Sequence, residues 1–514
     1  MQSTRSNVYE LGGDWADPIL WYARGVAAMK ARALAEPTSW RFYGAIHGID
    51  PGLWQALDYL SPSDQPPSKD LIRRFWSQCQ HGSWYFLPWH RGYLLAFEAN
   101  IRAEVVKLGG PQAWALPYWN YFKPDQFQLP PAFASPDWPD GQGDNPLFVP
   151  QRYGPNNDGD VFVPVDQINL NAMNDPDFTG VDSGGSPGFG GVDTGFAHGG
   201  RVHGALETQP HDWVHGLVGG SDPQSHPQSP LPGLMSDPDT AGLDPIFWLH
   251  HANIDRLWEV WRENPPADVD PTDPNWVKGP GNTGERIFSM PMPDGTFWDY
   301  TPGDMSDLGK LDYTYDDLSP IAPAPSPALR LQRLGMAPLA AQAMEGRTAM
   351  TRAKNVEMVG ANQEPLRITG SEARTSVQLD HGVRRKVSAS LAMAAQEGTP
   401  DRVFLNLENV RGLVDSTAFN VYVGLPEGAN PADHPELLAG SIALFGARKA
   451  TLADGEHGGQ GLTFVLEITK IVDALHLRDA LDVNSLNVRI VPVKPVPEAA
   501  QVSIGRISIF RQGR

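Results

Sequence analysis

Paired histidines that no helical surface needs recur in this chain, and the demand that they meet in one core limits its fold more than any other feature. His211 and His215 stand four residues apart in Pro210-His211-Asp212-Trp213-Val214-His215. That spacing puts both rings on one helix face, roughly 6 Å apart along its axis, within reach of one metal ion. His250 and His251 come just before a stretch whose apolar residues at 254, 257, 258 and 261 keep helical spacing, so only one of the adjacent pair can face inward. A second set is looser. His81 lies two residues after Cys79, His90 follows Pro88 at a helix start, and His47 ends a helix-compatible stretch that Thr38 or Ser39 can cap.

A single histidine among Trp and Phe is ordinarily a core or surface residue. Agreement among separate segments changes that reading, and two sets of three imidazoles suggest a pair of metal ions. An all-nitrogen donor set with no bridging carboxylate argues against di-iron; copper fits first and zinc second. His211-Asp212-Trp213-Val214-His215 can also be read as an Asp variant of a zinc-hydrolase helix motif. Asp is one methylene short for that task, and the reading leaves His47, His81 and His90 without a purpose.

Several segments resemble, in order, those of the type 3 copper proteins, which are the tyrosinases, catechol oxidases and hemocyanins. His81 to Glu98, with His90-Arg91, Leu94 and Phe97-Glu98 between, resembles the first copper motif, and Leu116-Pro117-Tyr118-Trp119-Asn120-Tyr121 resembles the stretch that follows it. Pro210 to Gly220 and Asp244 to Trp258 resemble the second. The resemblance implies two copper ions, one on His47, His81 and His90, the other on His211, His215 and His251, with His250 a neighbour behind them. It implies dioxygen as cosubstrate and phenols as substrates, hydroxylated ortho to their hydroxyl or oxidised to o-quinones, the choice between these being open. Tyr313-Thr314-Tyr315 and Arg5 match a structural pairing in which a guanidinium stacks on a phenol.

Three further site residues follow from the same comparison. Glu207 resembles a glutamate that holds a water near the coppers as a general base, Asp212 occupies a position that helps orient that water, and Phe247, four before His251, is expected to shape the entrance. Cys79 is the only cysteine, so it makes no intramolecular disulfide. Its place two residues before His81 resembles chains in which that cysteine forms a thioether to the histidine, fixing the ring; the plain alternative is a small buried thiol.

With 514 residues the chain exceeds what one core ordinarily accommodates, so two domains are expected. A mainly α catalytic domain over residues 1–317, a helical bundle with long loops, is followed by a Pro- and Ala-rich linker over 318–364. An all-β antiparallel sandwich then runs over 365–514, where Arg402 to Val410, Ala418 to Gly424, Leu462 to Ile468 and Asn487 to Val493 alternate in strand fashion between turn signals. Ala418-Phe419-Asn420-Val421 resembles an element of the C-terminal domain of plant polyphenol oxidases, altered at Ala418 and Asn420. That resemblance implies a latent proenzyme, activated by a protease that cuts between about 318 and 365. A hemocyanin-like dioxygen carrier is the competing reading. Residues 123–200, rich in Pro, Asp, Asn and Gly, read as long loops that border the pocket or form a surface insertion.

A net charge of −20 opposes nucleic acid and anionic membranes as partners. No apolar run reaches the roughly 18 residues that a membrane crossing needs. Cytoplasmic residence is the default expectation, with secretion or a periplasmic location if a leader precedes this sequence.

Overall fold

The computed structural model describes residues 2–141, 143–225, 230–263, 269–320, 355–380, 401–453, 459–477 and 485–513. The first domain is helical. Its elements are α1 (Asp17–Lys30), α2 (Trp40–His47), α3 (Pro51–Ala56), α4 (Lys69–Phe75), α5 (Phe86–Lys107), α6 (Pro131–Ala134), α7 (Asp212–Gly219), α8 (Pro245–Arg262), α9 (Pro274–Lys278) and α10 (Leu308–Leu311). Strand β1 (Ser3–Arg5), the hairpin of β2 (Phe288–Pro291) with β3 (Phe297–Tyr300), and β4 (Tyr313–Tyr315) complete it. β1 and β4 pair in parallel, which joins the two ends of the domain.

The local signals explain the boundaries. Ser39 caps α2 by accepting the Phe42 N–H, Asp244 caps α8 by accepting from Ile246 N, and Pro245 takes the first helical position of α8. Because that signal lies at 244–245, α8 begins earlier than the apolar spacing suggests, and His250 and His251 sit inside the helix. Pro88 falls in the first turn of α5. α5 and α8 pack at the centre of the bundle; Phe97 stacks on Trp248 with ring centroids 3.5 Å apart and planes 8° from parallel.

Beside this seam lies a buried ionic hub. Asp255 accepts from Arg91 Nε at 2.5 Å, from Arg5 Nη1 at 3.2 Å, and from the hydroxyls of Tyr313 and Tyr315 at 2.7 and 2.5 Å. The Arg5 guanidinium lies 4.2 Å over the Tyr313 ring and donates to Glu98 at 2.8 Å. β1, β4, α5 and α8 are thereby tied through one carboxylate.

The second domain is all-β and antiparallel, as expected, and begins before residue 365. Its strands are β5 (Asn355–Ala361), β6 (Leu366–Arg367), β7 (Ala373–Leu379), β8 (Arg402–Arg411), β9 (Ala418–Val423), β10 (Leu438–Ala443), β11 (Leu462–Glu467), β12 (Ser485–Pro492) and β13 (Ser503–Gly513), with helices α11 (Ala447–Thr451) and α12 (Thr469–Leu477). β5 lies in the stretch that composition assigns to the linker. It lacks clean alternation and gains its identity by pairing with β13. The strands form one continuous sheet in the order β10-β9-β12-β7-β5-β13-β8-β11, with β6 on β13. The sheet curls until its edges approach: a Cβ on Gly440 of β10 would lie 2.8 Å from the Leu466 side chain of β11. Residues 321–354, most of the expected linker and cleavage stretch, lie outside the described residues.

The two domains share contacts along their whole border. Asp175 pairs with Arg402 at 3.2 Å, Gln512 accepts from Ser186 N at 2.8 Å, and Thr463 N donates to Arg201 O at 2.7 Å, where Val202 and Thr463 form a parallel bridge. Part of the 123–200 stretch is therefore a packing layer between domains; Gly184 leaves room for Phe510, whose ring would lie 2.2 Å from an added Cβ. Among the described residues no helix is long and apolar enough to cross a membrane.

Burial alone would push the Asp255 carboxyl up, yet Arg91 and Arg5 outweigh it and hold it below the usual carboxylate range. A depressed carboxylate contributes stability above its unfolded value near 4, and that contribution is lost as pH falls through the lower folded value. Asp255→Asn is expected to destabilise the helical domain by about 3 kcal/mol, the cost of uncoupling a buried ion pair. Its unfolding free energy is also expected to lose much of its dependence on pH below about 4, which chemical denaturation across pH measures.

Candidate metal centre

All six expected ligands converge in one buried site between α2, α5, α7 and α8. His47 is the last residue of α2, His90 lies on α5, and His251 lies on α8. His81 stands in an extended segment bridged in parallel to His198. That approach needs glycine on both sides, since a Cβ on Gly82 (φ +58) would lie 2.4 Å from the Gly200 carbonyl. His211 ends a π-helical turn over Glu207–His211 that contains the cis Gln209–Pro210 peptide, and α7 starts one residue later. The single helix expected to hold His211 and His215 thus begins between them, yet their rings remain 4.5 Å apart.

Two trios result. The rings of His47, His81 and His90 lie 5.2 to 5.6 Å from one another, and those of His211, His215 and His251 lie 4.5 to 5.4 Å apart. They face each other: His90 stacks on His251 at 4.4 Å, and His81 lies 5.7 Å from His211. His250 also brings a nitrogen within 4.8 Å of those of His211, His215 and His251, closer than expected of a neighbour. It differs in what it faces, because its Nδ1 meets the Tyr121 hydroxyl at 3.3 Å, whereas His251 also joins His47 and His90.

Most rings are held from behind. Nδ1 of His47 donates to Pro238 O at 2.7 Å, Nδ1 of His90 to Phe86 O at 2.8 Å, Nδ1 of His215 to Met235 O at 2.8 Å, and Nδ1 of His211 to Asp212 Oδ1 at 2.9 Å. Those bonds fix the tautomer and leave Nε2 as the lone-pair atom. Nε2 of His47, His81, His90 and His211 is buried without a hydrogen-bond partner among the described residues. Four such acceptors in one place are costly unless a cation takes their lone pairs. Burial also keeps the imidazoles neutral: it lowers His47 to about 4 and holds His81, His90, His211, His215 and His251 well below the ordinary histidine value, helped by the neighbouring rings. Buried, neutral, convergent nitrogens in two trios fit two copper ions.

The other expected residues take specific places. Asp212 does not face open space; its second oxygen accepts from His203 Nδ1 at 2.8 Å, so both oxygens are held by imidazoles. Glu207 accepts from Gly82 N at 2.9 and 3.0 Å and from Gly204 N at 3.3 Å. Burial pushes its carboxyl up to about 7 against the opposing pull of His203. Phe247 is fully buried and packs on His251 at 4.2 Å and His47 at 5.0 Å, which makes it a wall of the metal centre instead of its entrance. Cys79 Sγ lies between two imidazoles, 3.4 Å from His81 Nδ1 and 3.2 Å from His198 Nδ1.

The residue that covers the site comes from the second domain. Phe445, after β10, stacks on His215 at 4.3 Å and meets His81 and His211 edge-on at 5.7 Å each. It belongs to the hydrophobic core of the helical domain. What space is left beside Cys79, His81, His198, Phe445 and Lys449 is a cavity of about 20 Å³, enough for one water. Sequence reasoning missed Phe445, His198 and His203. The Leu444-Phe445-Gly446 turn carries no mark of a cover in one dimension, since its meaning depends on how the domains dock.

Comparison with known proteins agrees with this geometry. Residues 37–183 and 164–264 match the family description "Common central domain of tyrosinase", and residues 355–512 match "Domain of unknown function (DUF7868)". Tyrosinase HcTyr1 of Hahella sp. (strain CCB-MM4) is 32% identical, covering 99% of each chain. The latent chloroplastic polyphenol oxidase of Prunus armeniaca is 31% identical over 38% of this chain and 32% of its own. The structure of latent apple tyrosinase superposes over 99% of this chain and 97% of that one with a TM-score of 0.58 at 23% identity, a likeness of fold. These findings define an oxidoreductase of the type 3 copper class and do not favour an oxygen carrier. Within that class the chain belongs to the tyrosinase and polyphenol oxidase family, with a C-terminal β domain attached.

Asp212 fixes the His211 ring, so Asp212→Ala is expected to weaken metal binding at the second trio by roughly 10–100-fold, the usual effect of losing a partner behind a ligand. Asp212→Asn, which still accepts from His211 Nδ1, is expected to recover much of it. Copper titration against a chelator measures both.

Proposed function

We propose that this chain couples the reduction of dioxygen to the oxidation of phenols, by oxidation of o-diphenols to o-quinones, ortho-hydroxylation of monophenols, or both. Two diphenols each give up two electrons and two protons, and dioxygen becomes two waters. The observation that carries this reading is the pair of facing imidazole trios. His47, His81 and His90 would hold one copper, and His211, His215 and His251 the other; His250 stays behind with Tyr121. Copper bound there would supply dioxygen binding and the electron acceptance that the oxidation requires. The chain's own groups do the rest. Backbone carbonyls and Asp212 aim the rings, Phe247 packs against His47 and His251, and Glu207 holds the Gly82 and Gly204 amides so that the His81 segment keeps its close approach.

Cys79 is proposed to form a thioether with His81, in line with its 3.4 Å distance to that ring. Intact-mass measurement of copper-loaded, air-exposed chain is expected to show the loss of two hydrogens, and peptide mapping to place the link on residues 79 and 81. A full-mass chain with a free thiol would leave Cys79 as a packing residue.

The second domain is proposed to keep the enzyme latent, with Phe445 occupying the place of a phenolic ring and an activating protease acting within about 318–365. A substrate ring must displace a stacked, fully desolvated phenylalanine, at a cost of about 2 kcal/mol or more. Phe445→Ala in the full chain is therefore expected to raise catechol oxidation by about tenfold or more, and limited proteolysis of the wild-type chain to do the same. Equal rates in all three would contradict latency. Reversible dioxygen binding with no catechol turnover, even after proteolysis, would point instead to a carrier.

A further inference from the structure

The acidic turn that orients His47 is held by the second domain. Pro238, whose carbonyl accepts from His47 Nδ1, lies between Asp237 and Asp239, both nearly fully buried. Arg448 on α11 reaches Asp237 Oδ2 with Nε at 3.1 Å and Nη2 at 2.9 Å. Its neighbour Lys449 donates to Asp239 Oδ1 at 3.0 Å. The same guanidinium reaches Asp50 Oδ2 at 3.3 Å, and Asp50 caps α3 just beyond His47. Arg448 thus grips both the turn behind His47 and the chain just after it. Asp237 also braces the turn from within, since its Oδ1 accepts from Asp239 N at 2.8 Å.

We propose that Arg448 is a positioning residue for the metal site: by holding Asp237 and Asp50 it sets the Pro238 carbonyl and through it the His47 ring, so the covering domain helps to build the first metal position as well as shield it. This rests on the copper assignment made above. Two like charges flanking one peptide are stable at this depth only with cations against them. Without Arg448 they seek water, the Pro238 carbonyl turns with them, and His47 loses the bond that directs its Nε2 inward. Shielding and bracing are separate tasks in this arrangement, the first belonging to Phe445 and the second to Arg448.

The test uses the full chain in five forms, wild type, Arg448→Gln, Arg448→Lys, Phe445→Ala and Arg448→Gln combined with His211→Ala, each equilibrated with copper against a graded chelator and assayed for copper per chain, with the melting of the metal-free chain as a control for folding. Wild type is expected to hold two coppers. Arg448→Gln is expected to hold one under conditions where wild type keeps two, its weaker position loosened by about tenfold or more, and to hold none once His211→Ala removes the second position. Arg448→Lys keeps the charge but loses the fork, so intermediate retention is expected, and it carries the test if the glutamine variant does not fold. Phe445→Ala opens the site without touching the clamp and is expected to keep two. Equal retention in Arg448→Gln and wild type overturns the proposal, as does equal copper loss from Phe445→Ala, which would make covering the cause. A wild-type chain that binds no copper would overturn the copper assignment itself.

Discussion

Orientation from behind is the constraint on which the site depends. An imidazole that must present Nε2 to a shared centre needs its other nitrogen occupied by something that cannot move. Here the acceptors are carbonyls of a helix turn (Phe86), of the 234–239 segment (Met235 and Pro238), and one carboxylate (Asp212). Three of these four acceptors are themselves held: Asp212 by His203, Pro238 by its flanking ion pairs, Phe86 by its place in α5. Burial makes this strict, because a desolvated ring that rotates away finds no water to replace the lost bond. The resulting neutrality of the rings is the form in which nitrogen binds metal.

The same segment serves both trios. Met235 directs His215 and Pro238 directs His47, so one short stretch of backbone sets a ring in each half of the centre. Nearly all of the basic charge that neutralises its acids comes from α11 in the other domain. The domain that covers the site is joined to it through contacts of three kinds: an aromatic ring on the histidines, cations on the acidic turn, and the backbone of β11 against that of Arg201.

Much of this was legible in one dimension, for identifiable reasons. Ligand helices announce themselves through local rules, and Ser39, Asp244, Pro245 and the 211/215 spacing are local. Strands β8, β9, β11 and β12 show because each is rich in β-branched, aromatic and other apolar residues between turn signals, and in β12 burial also alternates along the strand. Long-range facts were hidden. The acceptors for His47 and His215 are backbone carbonyls 191 and 20 residues away from the histidines they hold, and any residue type could supply them. β5 looks like linker in composition because Asn355–Ala361 is a strand only through its partners. Phe445 looks like any apolar residue after a strand, and the roles of Glu207 and Asp212 turned on which atoms lie within 3 Å of their oxygens.

The topology of the curled sheet also bears on how the molecule is made. β13, the last strand described, lies in the interior of the sheet and pairs with β5, β6 and β8 together. It alone joins the β10-β9-β12-β7-β5 part of the sheet to β8-β11, so the sheet becomes continuous only after residues 503–513 have been synthesised. By then the helical domain, whose ends are fastened by β1 and β4, has long been synthesised, and domains fold in the order they emerge. Phe445 and Arg448, which cover and brace the centre, are therefore synthesised after all six of its histidines, so the order of synthesis places the cover last.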